Sequence, residues 1–182
     1  MDEWLTQLKE TIEAAREDGQ IVMTLATLSR NGSPRARAVV LRAVEEDGSI
    51  WFVSDARSKK NQQIQLDRRV EAVIWFAEAR LQYRVRGEAR VIESSDPRCA
   101  ALWKQLSDAT RAMFTWPTPG ERRDALPEHF AAELSVDAAI PATFQAIAIH
   151  PTLVEETNLN PHPHRRRRWR RKTGWVEEEL NP

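Results

Sequence analysis

In the first eighteen residues the apolar side chains Trp4, Leu5, Leu8 and Ile12 recur three and four apart, with polar or charged residues between them. That spacing predicts an amphipathic helix over residues 3–18, stopped by Gly19. From Ile21 the period changes to two. Residues 21–28 read as a strand, Asn31-Gly32 as a turn, residues 34–44 as a second strand closed by Asp47-Gly48, and residues 50–53 as a third. Two hairpin-type turns in succession predict an antiparallel meander. A short helix over 58–66 follows, with Ser58 as N-cap and Ile64 and Leu66 as its inward side chains.

Residues 70–76 read as a fourth strand and 81–92 as a fifth. In the fifth, Tyr83, Val85, Gly87, Ala89 and Val91 share one face, and Gln82, Arg84, Arg86, Glu88 and Arg90 the other. Gly87 in mid-strand predicts a bend or bulge of the kind that closes a barrel. Residues 96–130 read as helix, then an irregular stretch around Pro117 and Pro119, then a further helix opening near Pro127. Strand pattern returns at 144–150 and 153–157, and the basic run from Arg165 to Lys172 has the pattern of another strand. The sum is a mainly β (β+α) chain: an antiparallel barrel, closed or split, of six to eight strands with peripheral helices. One domain over 1–182 is expected, with an N-terminal helix 3–18, barrel strands 20–92, a helical excursion 96–136 and C-terminal strands 143–180.

Composition narrows the partners. The chain has 182 residues, 41% of them hydrophobic, and its formal net charge is zero, so no overall field draws it to nucleic acid or to an anionic membrane. Its one cysteine, Cys99, excludes a disulfide framework within the chain. The start is acidic and has no signal-peptide pattern, and no apolar run approaches the ~20 residues of a membrane span. A soluble, cytoplasmic protein without membrane association is the expectation.

Local charge is more telling. Arg37 and Arg42 bracket the apolar stretch Ala38, Val39, Val40 and Leu41, and Ser54, Ser58, Lys59 and Lys60 gather hydroxyls and ammonium groups around a helix start. Charge-assisted donors beside a helix N-terminus are what a phosphomonoester needs. Gln82 opens the fifth strand as an amide that can donate and accept. The ordered motifs Arg37-Ala-Val-Val-Leu-Arg42, Phe52-Val-Ser54 followed by Ser58-Lys-Lys60, and Gln82-Tyr-Arg-Val-Arg-Gly87 resemble the FMN-binding split β-barrel of pyridoxamine 5'-phosphate oxidase and its relatives. The Phe114-Thr-Trp-Pro and His164-Arg-Arg stretches resemble that family's Alr4036-like branch.

The resemblance implies FMN as cofactor and a homodimer with FMN at the subunit interface. It implies that the 37–42 segment, Val53, Ser54, Ser58, Lys59 and Lys60 hold the phosphate and ribityl region, and that Gln82 approaches the flavin ring. Thr115 and Trp116 would reach the opposite subunit's flavin, and Arg166 would complete the site. Departures fall on the substrate side: Arg42 stands for a lysine, Val53 for a tyrosine, Thr157 for a tryptophan and His162 for an arginine. FMN binding carries over, and vitamin B6 oxidation does not. The expected activity is flavin-dependent oxidoreduction of an unidentified small molecule, with His164 as the one catalytic candidate in the substrate region that the resemblance implies. Two alternatives stand beside it: a flavin-binding sensor or carrier without turnover, and nucleic-acid binding through the arginine run, the less favoured of the two. His162 and His164 lack a third ligand for a metal.

Overall fold

The computed structural model describes residues 2–16, 19–123 and 126–182. Helix α1, Glu3–Arg16, buries Trp4, Leu5, Leu8 and Ile12, the four positions its spacing singles out. Predicted helix positions 17 and 18 lie outside the described residues, as do 124 and 125 of the helical excursion and residue 1. Nine strands follow among the described residues: β1 Val22–Leu28, β2 Pro34–Val40, β3 Ala43–Val44, β4 Ile50–Asp55, β5 Arg69–Phe76, β6 Leu81–Val91, β7 Phe144–Asn158, β8 Arg165–Arg170 and β9 Glu177–Leu180. All pair antiparallel, in the order β2-β1-β5-β6-β7-β4-β3, with β8 on β7 and β9 on β8. This is a mainly antiparallel split barrel, with one strand more than the upper bound of the sequence reading.

The simple meander expected from two turns is not formed. β1 and β2 make the first hairpin, but the 34–44 run breaks at Leu41 and Arg42, whose N–H groups donate to Ile21 and to Trp51. At that corner the chain leaves β1 and joins β4, so β4 pairs with β3 and β7 rather than with β2. The corner brings Arg42 beside β4, which matters for the site.

The two C-terminal strands expected at 144–150 and 153–157 are one strand, β7. Its first half pairs with β4, its second half with β8, and β6 runs along both. The register shifts between Arg86 and Gly87, where Arg86 faces Leu153 and Gly87 faces Pro151, leaving Thr152 as the extra residue. A proline is tolerated there because the ladder is already interrupted. Gly87 is required for closeness, since a Cβ at this position would collide with the His150 carbonyl.

The main core lies inside the barrel, where α1 caps Met23, Leu25, Phe52, Ile74, Tyr83, Val85 and Trp169. A second cluster packs Trp51, Phe144, Ala146 and Ala148 under the helical excursion, with Phe114 and Phe144 ring centroids 5.0 Å apart. The excursion differs from its prediction: α3 Pro97–Gln105 and α4 Asp108–Ala112 are separate helices, and the helix expected near Pro127 is a single 3-10 turn, Pro127–His129. The break falls where Ser107 accepts from the Thr110 N–H and caps a new helix. In α2, Lys59–Leu66, the inward residues are Asn61 and Ile64, while Leu66 is exposed. Eight residues allow two inward positions three apart, and Leu66 falls off that stripe.

Gly87→Val is expected to destabilise the fold by about 3 kcal/mol or more, because the obstacle is backbone on the partner strand and cannot swing aside. Urea unfolding of the purified variant measures this, and an unchanged midpoint would contradict the close approach.

Candidate functional site

Strand β4 delivers Ser54 to the start of α2. Ser58 occupies the N-cap position, yet its hydroxyl does not cap the helix; it lies 3.2 Å from Ser54 Oγ and donates to Asn61 Oδ1 at 3.3 Å. Ser54 Oγ donates to the same oxygen at 2.6 Å, and Asn61 Nδ2 donates to Gln145 Oε1 on β7. Ser54, Ser58 and Asn61 are all buried. The hydroxyls thus tie helix to sheet; Asn61 N–H donates to the Ser58 carbonyl at 3.1 Å, and the Lys59 and Lys60 N–H groups have no partner among the described residues.

Cations collect around this floor. Arg37 on β2 is half-buried and donates to Thr27 Oγ1 at 2.7 Å, to the Leu25 carbonyl at 3.2 Å and to Gln63 Oε1 at 2.8 Å. Lys60 is half-buried and, among the described residues, has neither a hydrogen bond nor an ion pair. Burial first, and then the positive charge of Arg37, push its ammonium below the ordinary lysine range, while Asp55 pulls the other way. Burial also lowers Arg37 and Arg42. The Arg42 Nε is buried without a partner. No carboxylate forms an ion pair with Arg37, Arg42 or Lys60 among the described residues, and the positive charge of Arg37 bears on Lys60.

That volume is a cavity of about 580 Å³. Val40, Arg42, Val53, Ser54, Ser58 and Lys60 line its barrel side, and Met113, Phe114, Trp116 and residues 117–123 with Phe130 line the other. The second wall is fixed to the first. Arg57 holds Asp55 through Nε and Nη2 at 3.0 and 2.6 Å, and the same Nη2 donates to the Trp116 carbonyl at 2.8 Å. Trp116 Nε1 donates to the Ala131 carbonyl at 2.8 Å, and its ring stands edge-on to Phe130 with centroids 5.6 Å apart.

Of the residues singled out from the sequence, Val40, Arg42, Val53, Ser54, Ser58, Lys60 and Trp116 meet in this cavity. Arg37 stands behind Lys60. Val39 and Leu41 turn into the barrel core, Ala38 is exposed on the outer face, and Lys59 projects into solvent. Thr115 is exposed, with its hydroxyl on the Ala112 carbonyl. Gln82 lies away from the cavity in a lateral row Trp75, Gln82, Thr157, Arg166 across β5 to β8 on the outer face of the sheet. His164 is exposed, its Nδ1 3.2 Å from the Pro161 carbonyl.

The arginine run is an ion-pair ladder. Arg165 meets Glu177 and Glu179, Arg166 meets Glu155, Arg167 meets Glu156 and Glu177, and Arg168 and Arg170 share Glu178. The sequence alone left the run as a candidate basic patch with Arg166 toward the flavin; here every arginine of β8 has an acid. No free cationic stripe is left on this strand. The sequence reading missed Asn61, Gln63, Gln145, Arg57, Arg122, Arg123 and Phe130. Only Asn61 carried a signal, being a polar residue three positions after Ser58 on the inward side of a short helix.

A family model described as the pyridoxamine 5'-phosphate oxidase FMN-binding domain matches residues 1–93. The chain is 27% identical to a pyridoxine/pyridoxamine 5'-phosphate oxidase of Cyanothece sp., over 100% of this chain and 88% of that protein. It is 30% identical to the protein of the same name from Deinococcus deserti, over 97% of this chain and 87% of the relative. The crystal structure of a pyridoxamine 5'-phosphate oxidase-related, FMN binding protein from Nostoc punctiforme superposes with a TM-score of 0.90 at 29% identity, covering 100% of this chain and 99% of that one.

Asn61→Ala removes the acceptor shared by Ser54 and Ser58 and strands the Gln145 amide. A loss of about 2 kcal/mol is expected in urea unfolding, and a loss below half that would mean the network does not secure α2.

Proposed function

The chain belongs to the pyridoxamine 5'-phosphate oxidase FMN-binding domain family, with FMN as its cofactor, and from that premise we propose an FMN-dependent oxidoreductase that acts on a small molecule as a homodimer. The observation that carries the site assignment is Lys60: a desolvated ammonium at the first turn of α2, crowded by Arg37 and with no ion pair among the described residues. A phosphate removes that repulsion, and the Lys59 and Lys60 N–H groups at the helix start add donors. Arg42 contributes a buried Nε in need of an acceptor. The donor set therefore fits a phosphomonoester, and a cavity of about 580 Å³ falls within the usual range for small-molecule sites.

In this reading Arg37, Arg42 and Lys60 hold the phosphate, and Lys59 adds charge at the rim. Ser54, Ser58 and Asn61 keep the floor rigid. Val40 and Val53 offer the apolar side, and Phe114 and Trp116 keep water from it. FMN, when bound, supplies the hydride chemistry. Gln82 and Arg166 belong to the outer face, where Trp75 and Val22 are about half exposed; a second copy covering that face would bring the pair, with Thr115, toward the flavin of the other subunit. The aromatic wall beyond the phosphate cations favours turnover of a second molecule over a carrier. Anaerobic reduction distinguishes the two: bleaching of bound flavin by a nicotinamide or by a candidate amine supports the enzyme, and no bleaching by any donor supports the carrier.

Purified protein is expected to be yellow or to take up added FMN. Arg37→Met with Lys60→Met should weaken FMN by about 100-fold and leave riboflavin, which has no phosphate, unaffected. Fluorescence-quenching titration reads both, and unchanged FMN affinity would remove the phosphate assignment.

FMN affinity is also expected to fall as pH rises toward the ordinary lysine range, with the fall beginning below it. Lys60 binds phosphate only when protonated, and its lowered pKa brings the loss of that proton below the ordinary lysine range. Binding then takes up a proton in that window. Lys60→Met should abolish this fall, and an identical pH profile in the variant would sink the assignment of the titration to Lys60.

A further inference from the structure

Arg37 is held in place by neutral groups from two other elements. Its Nη1 donates to Thr27 Oγ1 on β1 at 2.7 Å and to the Leu25 carbonyl at 3.2 Å, and its Nη2 donates to Gln63 Oε1 on α2 at 2.8 Å. The ring then closes: Thr27 Oγ1 donates to the same Gln63 oxygen at 2.6 Å. Thr27 is buried and Gln63 half-buried. A guanidinium can only donate, so the Thr27 hydroxyl, which accepts from Arg37, gives its own proton to Gln63. That fixes the amide as well, because both groups on Oε1 are donors. Gln63 stands three positions after Lys60, so the two share a face of α2, and Arg37 lies beside both.

The choice of an amide is informative. Elsewhere in the chain arginines are held by carboxylates: Arg57 by Asp55, Arg84 by Glu71, Arg111 by Asp108 and Arg167 by Glu156. A carboxylate at position 63 would accept the same two hydrogen bonds, and more strongly. It would also offset the charge that Arg37 presents to an anion beside Lys60. The amide supplies the geometry without that compensation, and the Arg37 Nε has no hydrogen-bond partner among the described residues. We propose that Gln63, with Thr27, is a positioning residue that keeps Arg37 fixed and fully charged toward the cofactor phosphate, and that the neutrality of Gln63 sets the phosphate affinity. This rests on the FMN reading of the same cavity.

Gln63→Glu separates the two properties, because it keeps both hydrogen bonds and adds a charge. A residue that merely fastens α2 to β1 and β2 would be replaced well by Gln63→Glu and poorly by Gln63→Met, which loses the acceptor. The proposal reverses that order. FMN affinity is expected to fall about tenfold in Gln63→Glu and about threefold in Gln63→Met. Riboflavin, which has no phosphate, should bind both variants within about twofold of the unsubstituted protein. Fluorescence-quenching titration at one ionic strength reads every affinity, and thermal midpoints without cofactor certify the folds. If either variant does not fold, the shorter pair Gln63→Asp and Gln63→Asn repeats the comparison. FMN affinity in Gln63→Glu at or above that of the unsubstituted protein, a weaker Gln63→Met than Gln63→Glu, or parallel losses of FMN and riboflavin would each overturn the proposal. Unsubstituted protein that takes up no FMN, or binds riboflavin as tightly, defeats the cofactor or phosphate reading before any variant is compared, so the two failures are distinguishable.

Discussion

The long strand β7 is the constraint on which the rest of the barrel depends. It borders β4 with its first half, β8 with its second and β6 with both, so every other part of the sheet is placed relative to it. A strand of that length cannot serve both halves of a split barrel while staying straight. The extra residue at Thr152 supplies the bend, and Gly87 allows the two backbones to approach where the register slips. The Thr152 hydroxyl donates to the Arg86 carbonyl at 3.2 Å, giving that group a partner at the interruption.

The bend has a consequence for the site. Because the first half of β7 reaches β4, Gln145 lies against α2 and closes the Ser54, Ser58 and Asn61 network from the sheet side. Phe144 from the same half packs with Phe114 and Trp103, which anchors the excursion that forms the far wall. Buried Arg111 adds to this anchor, donating to the Leu134 carbonyl at 3.0 Å and lying over the Trp103 ring. One strand therefore positions both walls of the cavity.

Charge is partitioned by the same architecture. β8 lies between β7 and β9, whose Glu155, Glu156 and Glu177 to Glu179 lie opposite or diagonal to its arginines, so a run that looks like a free basic patch is neutralised residue by residue. Arg167 is buried and still paired with Glu156, which also accepts from the Tyr83 hydroxyl at 2.8 Å. Around the cavity the opposite holds: Arg37, Arg42 and Lys60 are desolvated and have no ion pair among the described residues. Desolvated like charges raise the energy of the empty site, and an anion of the right shape lowers it. The difference between the two cationic groups is the presence of neighbouring strands rich in glutamate.

The amphipathic first helix, most of the strands from Ile21 to Val91, the bulge at Gly87 and the gathering of cations around α2 were legible in the residues themselves, because each rests on local periodicity or on contiguous side chains. The continuity of β7 through Pro151 was not, since a proline reads as a break unless the interruption of the partner ladder is known. Nor was the exposure of Leu66, or the fate of the arginine run, which was set by acids ten or more positions away. The sequence by itself determined most of the elements up to Val91 and the anion chemistry that its cations suit. Only the tertiary structure decided which cations stay uncompensated, and that Arg122, Arg123 and Phe130 join them, because charge compensation and cavity walls depend on strand neighbours distant in the chain.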